Sequence, residues 1–359
     1  MSKFIRYIGS KEPIIDFLIE NFNKHCKGFS SFGDMFAGTN VVSSKLIDLD
    51  QVKSVESFDM SKYSEILSSF VNPIINEEFI SYITELDNLA LIEGDIFNEF
   101  SINGHPKTIN HSKFESQTSK SRMFFTEIVG KKIDTIKTRL IQDFNNNHID
   151  RKTLNQVLAL LLKYADSNAH TTGVYGAYLK NEKEKNRSFI TDDLISELRK
   201  LKSYDKEYKF TRGSILDSTN NVTKKDILYM DPPYTTRRYE NNYHVLDYIA
   251  DIDFNIDVIK YNTKSGTPDL SLIDNPFARK KDTYAIFENM ITTGIEKCNC
   301  LFISYSNQGL LKEEDINNIC VKHNLSLVTE KIKHKKYKSH DVSVQGDVYE
   351  ILWVIKKQN

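Results

Sequence analysis

Within the first 70 residues a strand, a small-residue turn, a helix and a second strand follow one another, and this order constrains the fold more than any other feature of the chain. Residues 29–36 (FSSFGDMF) read as a strand that stops at the turn Ala37-Gly38-Thr39-Asn40. A helix-like stretch, VVSSKLI, follows, and residues 52–59 (VKSVESFD) read as a second strand ending on Asp59. This is half of a doubly wound parallel sheet, whose ligands collect at the carboxyl ends of strands. Ahead of it, residues 12–23 set Ile14, Ile15, Leu18, Ile19 and Phe22 on one helical face, with Pro13 tolerated in the first turn.

The rhythm then breaks. From 71 to about 206 helical patterns dominate, at 128–144, 153–165 and 189–201, joined by polar connections rich in Ser, Asn and His. Strand-like runs resume at 206–215, 226–234 and 299–307 and close with LSLVTEKIKHKKY and DVYEILWVIKK. The expected architecture is a discontinuous doubly wound α/β domain, residues 1–70 plus 207–359, carrying a mostly helical insertion over 71–206. At 359 residues the chain is long enough for both.

No apolar run approaches the roughly 18 residues of a membrane span, and MSKFIRYIGSKEP has no secretory h-region, so a cytoplasmic protein is expected. The cysteines, Cys26, Cys298, Cys300 and Cys320, form no CxxC pair and read as reduced thiols rather than metal ligands.

The run Asp231-Pro232-Pro233-Tyr234 follows the apolar stretch Ile227–Met230, at the carboxyl end of a buried strand. Its chemistry suits an aromatic amino group such as adenine N6, whose lone pair is delocalised into the ring. Two acceptors taking both N–H bonds favour a pyramidal nitrogen and free that lone pair. Asp231 supplies a carboxylate oxygen and Pro232 a backbone carbonyl. Consecutive prolines stiffen the loop, and Tyr234 offers a face on which an extruded base can stack. The same four residues could also be a plain strand exit punctuated by proline.

The turn after the first strand, Asp34-Met35-Phe36-Ala37-Gly38-Thr39-Asn40, resembles the methionine-cradling loop of S-adenosylmethionine-dependent methyltransferases. Asn40 stands where that loop usually has another Gly, and Asn tolerates the left-handed backbone almost as well. Asp59, 25 residues beyond Asp34, occupies the position from which a carboxylate accepts from a ribose diol.

With RYIGSK (6–11) near the start, FGDMFAGTN (32–40), a helical insertion and a late DPPY, the chain resembles the D12-class, α-ordered, Dam-like adenine-N6 DNA methyltransferases. GVYGAYLK (173–180), YTTRRYENNYHVL (234–246), FISYSNQGLL (302–311) and the closing KYKSH…YEILWVIKK extend the likeness over nearly the whole chain. The resemblance implies a Rossmann-like fold, S-adenosylmethionine as cofactor and double-stranded DNA as partner. It implies cofactor contacts from Tyr7, Lys11, Asp34, Phe36, Ala37, Gly38, Thr39, Asn40, Asp59, Ser214 and Asp231. DNA contacts are expected from Arg237, Arg238, Asn242, Tyr243, Tyr305 and Asn307. Two positions depart from the family: Gly213-Ser214 stands where an acid near the cofactor adenine is common, and Arg238 replaces a usual Gln. Asp217 or Gly94-Asp95 are the substitutes for that acid.

The net charge, −1 from 48 basic and 49 acidic residues, lowers the expectation of a nucleic-acid partner until it is divided along the chain. Residues 71–100 carry −7, residues 101–190 carry +7, and residues 321–340 carry +5. The last stretch holds Lys335, Lys336 and Lys338, which with interleaved aromatics are expected on phosphates, unless they form a merely solvated basic face.

The expected reaction is direct methyl transfer to N6 of a flipped adenine, with no covalent enzyme intermediate and no metal. The enzyme is expected to be a monomer from a prokaryote or phage, acting either with a cognate restriction endonuclease as a further partner or as an orphan modification enzyme. Cytosine-N4 methylation uses the same chemistry but more often carries Ser or Asn before Pro-Pro. An RNA or protein amide methyltransferase could use a similar loop, and a catalytically silent DNA-binding module could keep the same fold.

Overall fold

The computed structural model describes residues 4–106, 122–179, 187–214, 219, 221–236, 239–253, 277, 279–334 and 348–358. The chain divides into two compact units. One is built on a sheet and comprises residues 10–60, 204–238 and 274–359; the other is helical and comprises residues 1–9, 61–203 and 239–273.

The sheet unit contains seven strands: β1 (Ser31–Asp34), β2 (Ser54–Asp59), β3 (Glu207–Arg212), β4 (Lys225–Met230), β5 (Cys298–Ser306), β6 (Leu325–His334) and β7 (Val348–Lys357). Their order is β3-β2-β1-β4-β5-β7-β6. The first five run parallel, and β7 lies antiparallel between β5 and β6. The chain moves outward from β1 to β2 and β3, then returns to the opposite side of β1 with β4. The order thus reverses between β1 and β4, the switch point at which open α/β sheets bind ligands. β4 has almost no exposed surface from Ile227 to Met230, as befits a strand covered on both faces. The helix Thr283–Glu296 packs close to it: a Cβ on Gly294 would come within 2.8 Å of Met230 Cε. Around this contact Met35, Phe58, Leu228, Phe287, Met290, Leu301 and Trp353 form one apolar core.

The helical unit has its own core along the helices Glu127–Asn145 and Arg151–Asn168. The second buries a nearly continuous apolar run, Val157 to Leu162, because neighbours cover it on more than one side. The unit's limits differ from the expected 71–206 insertion. Helix Lys62–Ser68 buries Tyr63, Ile66 and Leu67 here, and helix Tyr239–Ala250 buries Tyr243, Val245, Leu246 and Ile249 here. The first residues of the chain join them through Ile5. Composition marks where polarity changes, whereas the boundary follows which core each amphipathic helix reaches. No described helix is long and apolar enough to cross a membrane.

Candidate active site

Asp34 ends β1 and is 1% exposed. Its Oδ2 accepts from the Ser43 hydroxyl at 2.8 Å, and Ser43 in turn is 2.7 Å from Ser57 Oγ. Burial raises the Asp34 pKa to about 7, the Ser43 hydrogen bond opposing the shift and the charges of Asp231 and Asp59 adding to it. The chain then bends sharply. Met35 N–H donates to Tyr229 O at 2.9 Å and Ala37 N–H to Phe58 O at 3.0 Å, which ties the turn to both neighbouring strands. Gly38 has φ +50° and Asn40 φ +58°, so the left-handed conformation expected at Asn40 is present. Asp59, at the end of β2, accepts from Gly38 N–H at 2.8 Å through Oδ2. Phe36 is half-buried with its ring edge-on to Phe277, and Thr39 is half-buried three residues further on.

Asp231 follows β4 directly, and its neighbours in the loop differ in exposure: Pro232 is buried, Pro233 and Tyr234 half-buried. Asp231 Oδ1 accepts from Lys11 Nζ at 2.8 Å and from the Tyr234 hydroxyl at 2.8 Å. The same ammonium and the same hydroxyl also reach Glu350 Oε1, at 3.3 Å and 2.5 Å. Burial lowers the Lys11 pKa, but Asp231 and Glu350 outweigh it and hold the ammonium above its ordinary value. Burial raises Glu350, only partly countered by Lys11. Burial and the two carboxylates push the Tyr234 hydroxyl well above its ordinary range, so it is a hydrogen-bond donor and not a phenolate. Lys11 Nζ also lies 5.0 Å from the centre of the Tyr234 ring.

Lys11, Asp34, Gly38, Asn40, Asp59 and Asp231 thus all lie in the sheet unit, the acids at the carboxyl ends of β1, β2 and β4. Ser214 is exposed two residues past β3. Tyr7 instead belongs to the helical unit, stacked on Tyr243 at 4.9 Å between ring centres. The DNA-contact expectation fits poorly at two tyrosines. Tyr243 is 1% exposed and its hydroxyl accepts from Ile8 N–H at 2.8 Å, so it is a core residue of the helical unit. Tyr305 has no exposed surface: its ring stacks on Trp353 at 5.1 Å and meets Tyr234 edge-on at 5.0 Å, while its hydroxyl accepts from Leu310 N–H. An aromatic in a polar motif looks available to a base, but tertiary neighbours cover both. Asn242 is half-buried, its carbonyl accepting from Tyr175 N–H. Asn307 is exposed and closes the ladder to β7, its Oδ1 accepting from Tyr349 N–H at 3.0 Å. Arg237, Arg238, Lys335, Lys336 and Lys338 lie outside the described residues. Glu350 is not among the residues expected from sequence. An acid flanked by apolar residues in a closing strand was its only signal.

Residues 7–260 match the D12 class of N6 adenine-specific DNA methyltransferases. The Type II methyltransferase M.NlaIII of Neisseria lactamica is 30% identical over 88% of this chain and 87% of its own length. M.CviAII of Paramecium bursaria Chlorella virus 1 is 27% identical, with 98% of each chain covered. M.FokI of Planomicrobium okeanokoites is 28% identical over 98% of this chain, which spans 53% of that protein. With an acidic proline loop at the switch strand and a match over most of its length, the chain belongs to the D12 class of N6 adenine-specific DNA methyltransferases.

Proposed function

We propose that the protein methylates adenine N6 at one specific double-stranded DNA sequence, using S-adenosylmethionine and a flipped-out target base. The observation that carries this reading is the Asp231 carboxylate at the end of the switch strand, oriented by Lys11 and Tyr234. Three features support the cofactor. Gly38 makes a close bend with its N–H on Asp59, Asp59 ends the second strand where a ribose diol is accepted, and Asp34 is a buried, easily neutralised acid at the end of the first. When bound, S-adenosylmethionine supplies an electrophilic methyl group. Asp231 and the Pro232 carbonyl accept the two N6 hydrogens and turn the nitrogen lone pair outward. The stiff Pro232-Pro233 segment keeps these acceptors in place, so little reorganisation is needed during transfer. Tyr234 stacks on the extruded base, and the proton that N6 sheds after methyl transfer passes to water.

The helical unit is the target-recognition part and the sheet unit the catalytic one. Arg237, Arg238 and the 335–338 lysines hold phosphates. The Type II names among the relatives support a modification enzyme with a cognate endonuclease. The protein, prokaryotic or phage-encoded, acts as a monomer in the cytoplasm.

Expression in a methylation-free host, followed by modification-sensitive sequencing, should reveal one recurring methyladenine motif; scattered or absent marks would overturn the reading. Mass spectrometry of digested DNA separates methyladenine from N4-methylcytosine. Asp231→Ala should lower turnover by about 1000-fold, while S-adenosylmethionine binding measured by calorimetry falls far less.

A further inference from the structure

Four hydrogen-bonding contacts join four side chains in the sheet unit into a closed square. Asp231 Oδ1 and Glu350 Oε1 stand at opposite corners, with Lys11 Nζ and the Tyr234 hydroxyl between them. The square is largely withdrawn from water: Lys11 is 7% exposed, Glu350 8% and Asp231 18%. Its donors are unequal. The ammonium has an N–H for each carboxylate, but the hydroxyl has one proton and two carboxylate oxygens within reach. The nearer of these is Glu350, at 2.5 Å against 2.8 Å for Asp231.

Glu350 comes from β7, and its place follows from topology. β7 runs antiparallel to β5, so its first residues lie beside the carboxyl end of that strand, with Glu350 opposite Ser306. The family match covers residues 7–260, and Glu350 lies beyond it.

We propose that Glu350 is a positioning residue for methyl transfer, drawing the Tyr234 hydroxyl and part of the Lys11 charge away from Asp231. The inference rests on the reading of Asp231 as the acceptor for adenine N6. A carboxylate that takes one ammonium and one hydroxyl undivided has its negative charge largely spent, and it becomes a weaker acceptor for a third donor. With Glu350 present the square carries one net negative charge, and Asp231 keeps acceptor capacity for the amino group. Lose the Glu350 charge and the sum becomes zero, with the Lys11 ammonium and the Tyr234 hydroxyl drawn more strongly onto Asp231. Glu350 also fixes the Tyr234 ring through its hydroxyl, setting the surface on which the base stacks.

The test uses the full chain with S-adenosylmethionine and unmethylated genomic DNA. Glu350→Gln should lower kcat by about 10- to 100-fold, the range typical of residues that orient a reacting group. KM for DNA and cofactor affinity should change far less than kcat, because Glu350 reaches the base and the cofactor only through Tyr234 and Lys11. Lys11→Met should be damaging on its own, since it leaves two carboxylates facing each other. The double variant K11M/E350Q restores the net charge of the square and should lose less activity than the two single losses combined. Glu350→Asp keeps the charge at shorter reach and should fall between wild type and E350Q, and it serves where E350Q does not fold.

A kcat for E350Q within twofold of wild type would overturn the proposal. Losses in K11M and E350Q that simply multiply would do the same, as would E350D no better than E350Q. Wild-type protein yielding no methyladenine would instead overturn the reading of Asp231 itself, and this inference with it.

Discussion

Asp34 makes the clearest claim at the scale of a single residue. Buried at the end of β1, it keeps its proton in the folded chain up to about pH 7, whereas an unfolded aspartate releases it near 4. The folded state therefore binds the extra proton between those values. That contribution is complete below about pH 4 and is lost as pH rises toward 7, with a slope of up to about 1.4 kcal/mol per pH unit. Asn in this place keeps an acceptor for the Ser43 hydroxyl and has no proton to lose. Urea titrations at several pH values should show wild type losing stability relative to Asp34→Asn from pH 4 to 7; parallel curves would show that Asp34 titrates normally. Other residues were less legible. The place of Asp231 after a buried strand could be read from adjacent letters because that strand is local. Tyr243 and Tyr305 could not, since the rings that cover them come from distant segments: Tyr7 for one, Trp353 for the other.

Among the elements, the turn between β1 and the helix Val41–Leu46 combines local and non-local causes. Asn40 holds a left-handed φ of +58° immediately before the helix, and its Oδ1 accepts from the Tyr208 hydroxyl at 3.3 Å. A β-carbon in that conformation costs roughly 1–2 kcal/mol, and Asn offsets part of this through its short polar side chain. Asn40→Ala should therefore destabilise by about 1–2 kcal/mol in urea, and Asn40→Gly should recover most of the loss. Equal stability of the two variants would remove backbone strain as the reason for Asn. The strands and the helices Glu127–Asn145 and Arg151–Asn168 were legible from periodicity, whereas the helices Glu77–Asp87 and Thr283–Glu296 were not picked out. Helix Tyr239–Ala250 was legible only as a motif, and which core it joins depends on Tyr243, Val245, Leu246 and Ile249 meeting the helix Arg151–Asn168.

For the whole molecule, charge is the informative quantity, and its distribution matters more than its sum. The chain is nearly neutral, yet residues 321–340 carry +5. If Lys335, Lys336 and Lys338 each neutralise a phosphate, replacing all three by Gln should reduce the slope of log affinity against log salt by roughly 2.7. A filter-binding series at several salt concentrations would measure this, and an unchanged slope would assign those lysines to solvent.

By itself the sequence determined the parallel α/β character, the acid at the end of each of three strands and the proline loop that follows the switch strand. Each depends on a repeat period or on neighbours within a few residues. Only the tertiary structure decided that β7 inserts antiparallel beside β5, and that Glu350 thereby meets Tyr234 across 116 positions of chain. It also decided which helices share a core. Burial and charge pairing depend on distances in space, and a sequence encodes those only through the fold as a whole.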